Sequence, residues 1–408
     1  MWRNGRLWVV LVTLFLSTAG FGLTLPALPF FVERLALGPG ASDAQVAFHV
    51  GFLTAVYALS QMLFGPMLGA ASDRWGRKPF LLGGLLGFAV AQAVFGLVTS
   101  LATLYAARAL AALFAAALLT GGSAASADMA EDQDYLRAMA SRGMAVGLGV
   151  VVGPALSGFL SRGSMHGHQM IGHLMLDGFS IPFFTAAALA LASVPLVTFG
   201  FEERTVPPTP VDELEAVAGP LPSLLDLLVL SAAAQLALAA FEATFALYAK
   251  GVLSFGTVEI GWGYAVCGGV MAGFQGLLVG RLGGRLDRAT QIAIGFAGLG
   301  LGLFSLAFTR SWPGVVGSIT VLATGMALLA PNLAAAVTAR RPGAPGGSLG
   351  LQNTALGVGQ VIGPIAGSVL FTLGPTLPFL AASAVCVVIS GTLWTRRVSG
   401  HAKLERLR

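Results

Sequence analysis

Two ionisable side chains stand inside stretches that otherwise hold almost none. Glu242 sits in Phe241-Glu242-Ala-Thr-Phe245-Ala-Leu-Tyr248-Ala-Lys250, and Arg108 in Leu104-Tyr-Ala-Ala-Arg108-Ala-Leu. A carboxylate in apolar surroundings loses the solvation of its charged form, so it can take up and release a proton near neutral pH. The ionised acid could equally hold a cationic substrate, with proton and cargo competing for one group. Phe241, Phe245 and Tyr248 flank it at helical spacing and offer an aromatic wall suited to cations. Arginine keeps its charge at any physiological pH, so Arg108 would act electrostatically, biasing a carboxyl group or orienting water. Charges inside a bilayer are expensive and are read as functional.

The elements that must carry these residues are membrane spans. Of 408 residues, 56% are hydrophobic and only 10% charged, against about 25% charged in a soluble chain. Twelve apolar runs recur, at 7–32, 46–70, 79–98, 100–124, 139–162, 172–200, 223–250, 257–281, 289–309, 312–337, 346–372 and 375–397. Runs of about 20 residues suffice to cross about 30 Å of hydrocarbon. The first is followed by more membrane and reads as a span rather than a leader. The longest polar stretch, about twenty residues, leaves no room for a catalytic domain. The expected fold is an all-α membrane protein of twelve transmembrane helices. Cys267 and Cys386 fall in different runs and read as small buried hydrophobes.

With both termini on one side, that side collects 18 of the 23 lysines and arginines, and the opposite loops hold four: Arg34, Arg162, Lys250 and Arg310. This bias places both termini and the even-numbered loops in the cytoplasm. The net charge of +5 therefore reflects topology, not nucleic-acid binding. A proline-rich, acidic stretch at 202–222 reads as a semi-extended linker. It divides the chain into a six-helix bundle at 1–201 and another at 223–408.

The halves echo each other. Gly65-Pro-Met-Leu-Gly69-Ala-Ala-Ser-Asp73-Arg74-Trp-Gly76-Arg77-Lys78 returns, degraded, as Gly276-Leu-Leu-Val-Gly280-Arg-Leu-Gly-Gly284-Arg285-Leu-Asp-Arg288, offset by 211. Gly149-Val-Val-Val-Gly153-Pro154-Ala-Leu-Ser157-Gly158 returns as Gly359-Gln-Val-Ile-Gly363-Pro364-Ile-Ala-Gly367-Ser368, offset by 210. Two motifs at nearly one offset argue for duplication, and parallel repeats around a central site are a transporter architecture. In the first motif, Gly65 and Gly69 are expected to end a closely packed helix. Asp73 is expected at a helix N-terminus of the other half, where the dipole is positive, and Arg77 against Asp128. In the second, Gly149, Gly153 and Gly158 make a smooth face for close helix packing, and Pro154 bends the helix.

Other polar residues carry less. Gln61, Asn332, Gln352 and Asn353 are candidates for a substrate cavity. Asp177, Asp226 and Glu259 read as boundary charges. His166, His168 and His173 cluster in an outer loop; a His-x-His can bind metal, but it lacks supporting carboxylates or thiols here. No metal site or cofactor is expected.

The loop at Gly65 to Lys78 resembles the signature between helices 2 and 3 of the major facilitator superfamily. That resemblance implies a gating role for Gly69, Asp73, Arg74, Gly76 and Arg77, with Asp128 as partner. Pro26 and Pro29 in span 1, and the Gly-Pro bend in span 5 (Gly149, Gly153, Pro154, Gly158), resemble the 12-span drug:proton antiporters, although Ser157 replaces a usual glycine. Arg108 matches the span-4 arginine of proton-coupled exporters, with Ala112 where glycine is usual. The Glu242 segment resembles span 7 of multidrug and quinolone exporters, whose acid couples protons. The second acid those exporters often carry in span 10 is Asn332 here.

The resemblance implies two pseudo-symmetric six-helix bundles. It implies a monomer in the bacterial plasma (inner) membrane that exports amphipathic, drug-like small molecules for protons by alternating access. The partners would be substrate, protons and lipid bilayer. An exporter of a metabolite, sugar or siderophore on the same scaffold is the alternative; a receptor or scaffold would not need Arg108 and Glu242.

Overall fold

The computed structural model describes the backbone of residues 7–37, 40–128, 135–161, 169–171, 174–176, 179–201, 223–282, 286–340 and 345–405. Side chains at 34–36, 127–140, 162–178, 275–285, 341–347 and from 396 onward lie outside that description.

Among the described residues, twelve α-helices run in order: α1 (Leu7–Phe31), α2 (Asp43–Trp75), α3 (Arg77–Leu97), α4 (Leu101–Asp128), α5 (Tyr135–Leu160), α6 (Ile181–Gly200), α7 (Leu224–Gly251), α8 (Thr257–Leu282), α9 (Arg288–Phe308), α10 (Trp312–Ala339), α11 (Pro345–Leu373) and α12 (Leu377–Glu405). Among the described residues, eleven helices are long and apolar enough to cross a membrane. In hydrocarbon every backbone polar group must be paired within the chain, which helices achieve. The chain is a multi-pass membrane protein.

Local chemistry sets the ends. Ser42 and Gln45 form a reciprocal capping box at the start of α2, and Ser223 with Asp226 does the same for α7, satisfying donors a helix start leaves open. Asp226 is thus a helix-start charge, as its position in the sequence suggests. Pro26 and Pro29 lie within α1, where each removes a backbone donor. Just beyond them the helix loosens into a π-helical turn, Val32–Leu37. The apolar run expected from 172 begins its helix only at Ile181. Pro182 occupies the first turn, where a missing N–H costs nothing. Upstream, Gln169–Ile171 (β1) pairs antiparallel with Leu174–Leu176 (β2). Asp177 and the three histidines of this loop lie outside the described residues.

The repeat is visible in the helices themselves. α3 and α9 are each 21 residues long, α4 and α10 each 28, and both pairs start 211 apart. Gly76 caps the start of α3 and Asp287 that of α9, again 211 apart. α1 and α7 start 217 apart, at Leu7 and Leu224.

By contacts the chain divides into two units: Met1–Pro208 with Phe245–Gly269, and Thr209–Thr244 with Val270–Arg408. In the first, Phe31, Phe95 and Phe183 form an aromatic core, with centroids 4.6–5.6 Å apart. In the second, Ser383 and Ser390 of α12 donate to the Gly300 and Ala293 carbonyls of α9 at 2.8 and 2.9 Å.

Candidate functional site

In the first unit Arg108, on α4, is 1% exposed. Its guanidinium carbon lies 4.4 Å from the Tyr57 ring centre, 5.8 Å from Phe21 and 5.9 Å from Phe95. Phe21 stacks on Tyr57 at 4.8 Å. Helices α1, α2 and α3 thus each present a ring to one cation. Ring faces attract a guanidinium most strongly where water is excluded. Among the described residues, Nε and Nη2 of Arg108 have no hydrogen-bond partner. One turn from Phe95, Gln92 donates to the Gly20 carbonyl at 3.3 Å, next to Phe21. Tyr57, Phe21 and Phe95 are the residues that sequence reasoning missed. An aromatic in an apolar run reads as core, and only the intramembrane tyrosine could have drawn attention.

On α7, Phe241, Phe245 and Tyr248 share one face and are each at most 1% exposed. Phe245 meets Tyr264 of α8 edge-on at 5.3 Å, within the first unit. Glu242 is turned about 60–120° from these rings by the helical period and is only partly buried. Its own face carries Ser231, Gln235, Ala246 and Ala249, which makes a polar file flanked by small residues. Ser231 donates to the Leu227 carbonyl at 2.9 Å and accepts from Gln352 of α11 at 3.3 Å. Gln235, an amide inside an apolar run of the sequence, and Ser231 belong to this file.

The amide candidates separate. Asn332 is buried and donates to Gln291 of α9 at 3.1 Å and to the Leu328 carbonyl at 2.9 Å, so it ties α10 to α9. Gln352 ties α11 to α7. Gln61 is partly buried on α2, and Asn353 is exposed on α11.

The loop between α2 and α3 is organised by its own charges. Asp73 pairs with Arg77 one turn on. Arg77 donates to the Ser72 hydroxyl at 2.8 Å, which donates to the Gly69 carbonyl at 2.8 Å. Lys78 donates to the Thr198 carbonyl near the end of α6 at 2.7 Å, a cation at the negative end of a helix dipole. Gly76 has φ 90° and ψ 161°, a conformation essentially reserved for glycine. Arg74 is exposed. Asp128 ends α4, and its side chain lies outside the described residues. The close packing expected at Gly65 and Gly69 is absent: a methyl at either would meet Thr120 at 3.8 or 4.0 Å, ordinary contact. The reason is that α4 turns a Thr rather than a glycine towards them.

The α5 motif is tight. A methyl at Gly149 would strike Thr18 and the Phe15 carbonyl of α1, and one at Gly153 the Ala19 carbonyl. Across from them, a methyl on Gly22 would meet Pro154 at 2.7 Å. On the opposite flank, Thr257 of α8 donates to the Gly158 carbonyl at 3.1 Å. The second unit repeats the arrangement: Gly359 abuts the Ala232 carbonyl of α7, and Gly363 that of Leu236. Phe15 to Ala232 and Ala19 to Leu236 keep the offset of 217 that separates the helix starts. The duplicated motif makes the duplicated packing.

Comparison with known proteins agrees with this architecture. The sequence model of the Major Facilitator Superfamily matches residues 10–342. The chain is 26% identical to Multidrug resistance protein 2 of Bacillus subtilis over 97% of both chains. It is 30% identical to the class G tetracycline resistance protein of Vibrio anguillarum, over 89% of this chain and 90% of that one. In fold it superimposes on a bacterial homologue of the human lysosomal transporter Spinster, crystallised inward-facing and occupied, with a TM-score of 0.77, 15% identity and 95% coverage of both. The family model spans most of the chain and the relatives match it over nearly their whole length: the chain belongs to the Major Facilitator Superfamily and is a membrane transporter, not an enzyme.

Proposed function

We propose that the protein exports amphipathic, drug-like small molecules in exchange for protons by alternating access. The observation that carries this reading is Glu242. It is a carboxylic acid within a membrane span, partly buried, on a helix face shared with Ser231, Gln235 and small side chains. Such a group can alternate between a proton and a cationic cargo, which makes their binding mutually exclusive. That exclusion is what antiport requires. Full-length similarity to multidrug and tetracycline resistance proteins supports the cargo class.

Arg108 supplies a fixed positive potential in the first bundle, at 1–201, and biases the proton's path without titrating. Phe241, Phe245, Tyr248, Gln61, Gln352 and Asn353 contribute to a largely apolar substrate cavity, and Asn332 contributes through its support of α10. The loop carrying Gly69, Asp73, Arg74, Gly76 and Arg77, with Asp128, acts as the cytoplasmic gate. The linker at 202–222 joins this bundle to the second, at 223–408. The positive bias of the loops supports a bacterial inner-membrane protein with both termini in the cytoplasm, working as a monomer.

Transport into inverted vesicles tests the cargo class. Ethidium and tetracycline should accumulate when the vesicle lumen is acidified, and sugars should not. Accumulation of a sugar with neither dye nor tetracycline would favour the metabolite exporter instead.

A further inference from the structure

The outer end of α7 meets the outer end of α1 through a charge pair that the transport scheme above does not use. Lys250, in the last turn of α7, pairs with Glu33. Its ammonium also lies 4.9 Å from the Phe30 ring centre, and Phe30 stacks on Phe179 at 5.3 Å. The end of α1 and its π-helical turn thus meet the cation at the end of α7, and the turn before α6 backs Phe30. All lie in the first unit.

The backbone beneath Glu33 is unusual. Glu33 is in the π-helical turn Val32–Leu37 that follows Pro26 and Pro29. Short π-helical turns within or beside α-helices are uncommon and gather at functional sites. The two prolines withdraw donors from the preceding turns, and the π-helical turn follows directly after them. Lys250 is succeeded by the irregular stretch Val252–Gly256, which includes Ser254 at φ 57°. An ion pair thus joins the π-helical turn to the end of α7, just before this irregular stretch.

The pair also has a place in the duplication. Glu33 and Lys250 are 217 apart, the offset relating α1 to α7. Equivalent positions of the two halves carry opposite charges and have become partners. Glu242 stands eight residues before Lys250 on α7.

We propose that Glu33 and Lys250 form an outer latch, held by Phe30, which must part for the outer side of the transporter to open. This rests on the transport reading above and adds the residues that hold one side closed. Charge pairing gives the latch direction, and the π-helical turn gives it room to release.

The test uses the full chain with Cys267 and Cys386 replaced by serine. In Glu33→Cys/Lys250→Cys, a short thiol-cleavable bis-methanethiosulfonate linker, which spans the reach of the two lost side chains, should join the two positions and lower ethidium efflux about tenfold, with recovery on reduction, because locking one side of a two-state transporter stops the cycle. A second measurement needs no substrate. Glu33→Gln and Lys250→Gln should each speed amide exchange across residues 247–256 several-fold in detergent, since local opening is set by the contacts that close it. The exchanged pair Glu33→Lys/Lys250→Glu should return exchange and efflux to near wild type. Unchanged efflux in the cross-linked protein, or an exchanged pair as impaired as either Gln variant, would overturn the latch. Exchange requires no proton gradient, so a latch result stands apart from any failure of proton coupling at Glu242.

Discussion

The guanidinium carbon of Arg108 lies 4.4 Å over the ring of Tyr57, in a site where the arginine is 1% exposed. Taking a charge out of water costs several kcal/mol. Rings from α1, α2 and α3 return part of that cost, about 2 kcal/mol for a well-desolvated cation–π contact. Tyr57→Phe keeps the ring face and should leave thermal stability and transport near wild type. Tyr57→Leu should lower stability by about 2 kcal/mol, read as the shift in the detergent melting curve. Arg108→Lys should fold but lose most transport, because an ammonium cannot stack as a planar guanidinium does. Equal stability of the Phe and Leu variants would exclude this account of the buried charge.

Glycines in the first loop should behave unequally. Gly76→Ala forces a side chain into φ 90° and should cost about 1–3 kcal/mol. Gly65→Ala and Gly69→Ala place a methyl at ordinary distance from Thr120, and alanine favours a helix over glycine by about 0.5–1 kcal/mol. These two should be neutral or slightly stabilising by thermal unfolding. Transport loss in either without loss of stability would identify a second conformation that brings another backbone against this face.

The α5 and α11 stripes should be intolerant in parallel. Gly153→Ala and Gly363→Ala each drive a methyl into a neighbouring carbonyl, and overpacking of this kind typically costs about 1–3 kcal/mol. Gly273→Ala, with nothing within 4 Å of the added carbon, is the control. Expression and melting temperature of the three variants decide this: a Gly363→Ala protein as stable as the control would break the equivalence of the two stripes.

Much of this was legible in the sequence, for physical reasons. A span needs about twenty apolar residues, so hydropathy alone places the helices. The Gly and Pro motifs keep their spacing in both halves, so the duplication can be read before α3 and α9 are seen to match in length. Pairings across the fold leave no such trace. Asn332 reads as a polar lining residue until Gln291 is found opposite it, and Tyr57 reads as core until Arg108 is found beneath it. The spacing of Gly65 and Gly69 matches that of Gly149 and Gly153, yet only the second pair is tight, because the spacing says nothing of what the facing helix presents. The break before Ile181 was hidden by apolar residues in the preceding hairpin, and Glu33 by its place just past an apolar run.

Asn332 offers a direct separation of support from substrate contact. Asn332→Ala leaves the Gln291 carbonyl oxygen without its donor, and an unsatisfied buried polar group costs about 1–3 kcal/mol. Stability should fall by that amount, while the relative rates for different substrates stay constant. Changed substrate preference at wild-type stability would return Asn332 to the cavity wall.

Proton coupling through Glu242 is tested most directly by transport in proteoliposomes with an imposed pH gradient, wild type against Glu242→Gln. The wild type should concentrate ethidium or tetracycline against its gradient, driven by protons. Glu242→Gln should bind a cationic compound more weakly, still equilibrate it, and gain nothing from the pH gradient. Gradient-driven accumulation by Glu242→Gln with unchanged proton dependence would contradict the role given to this acid.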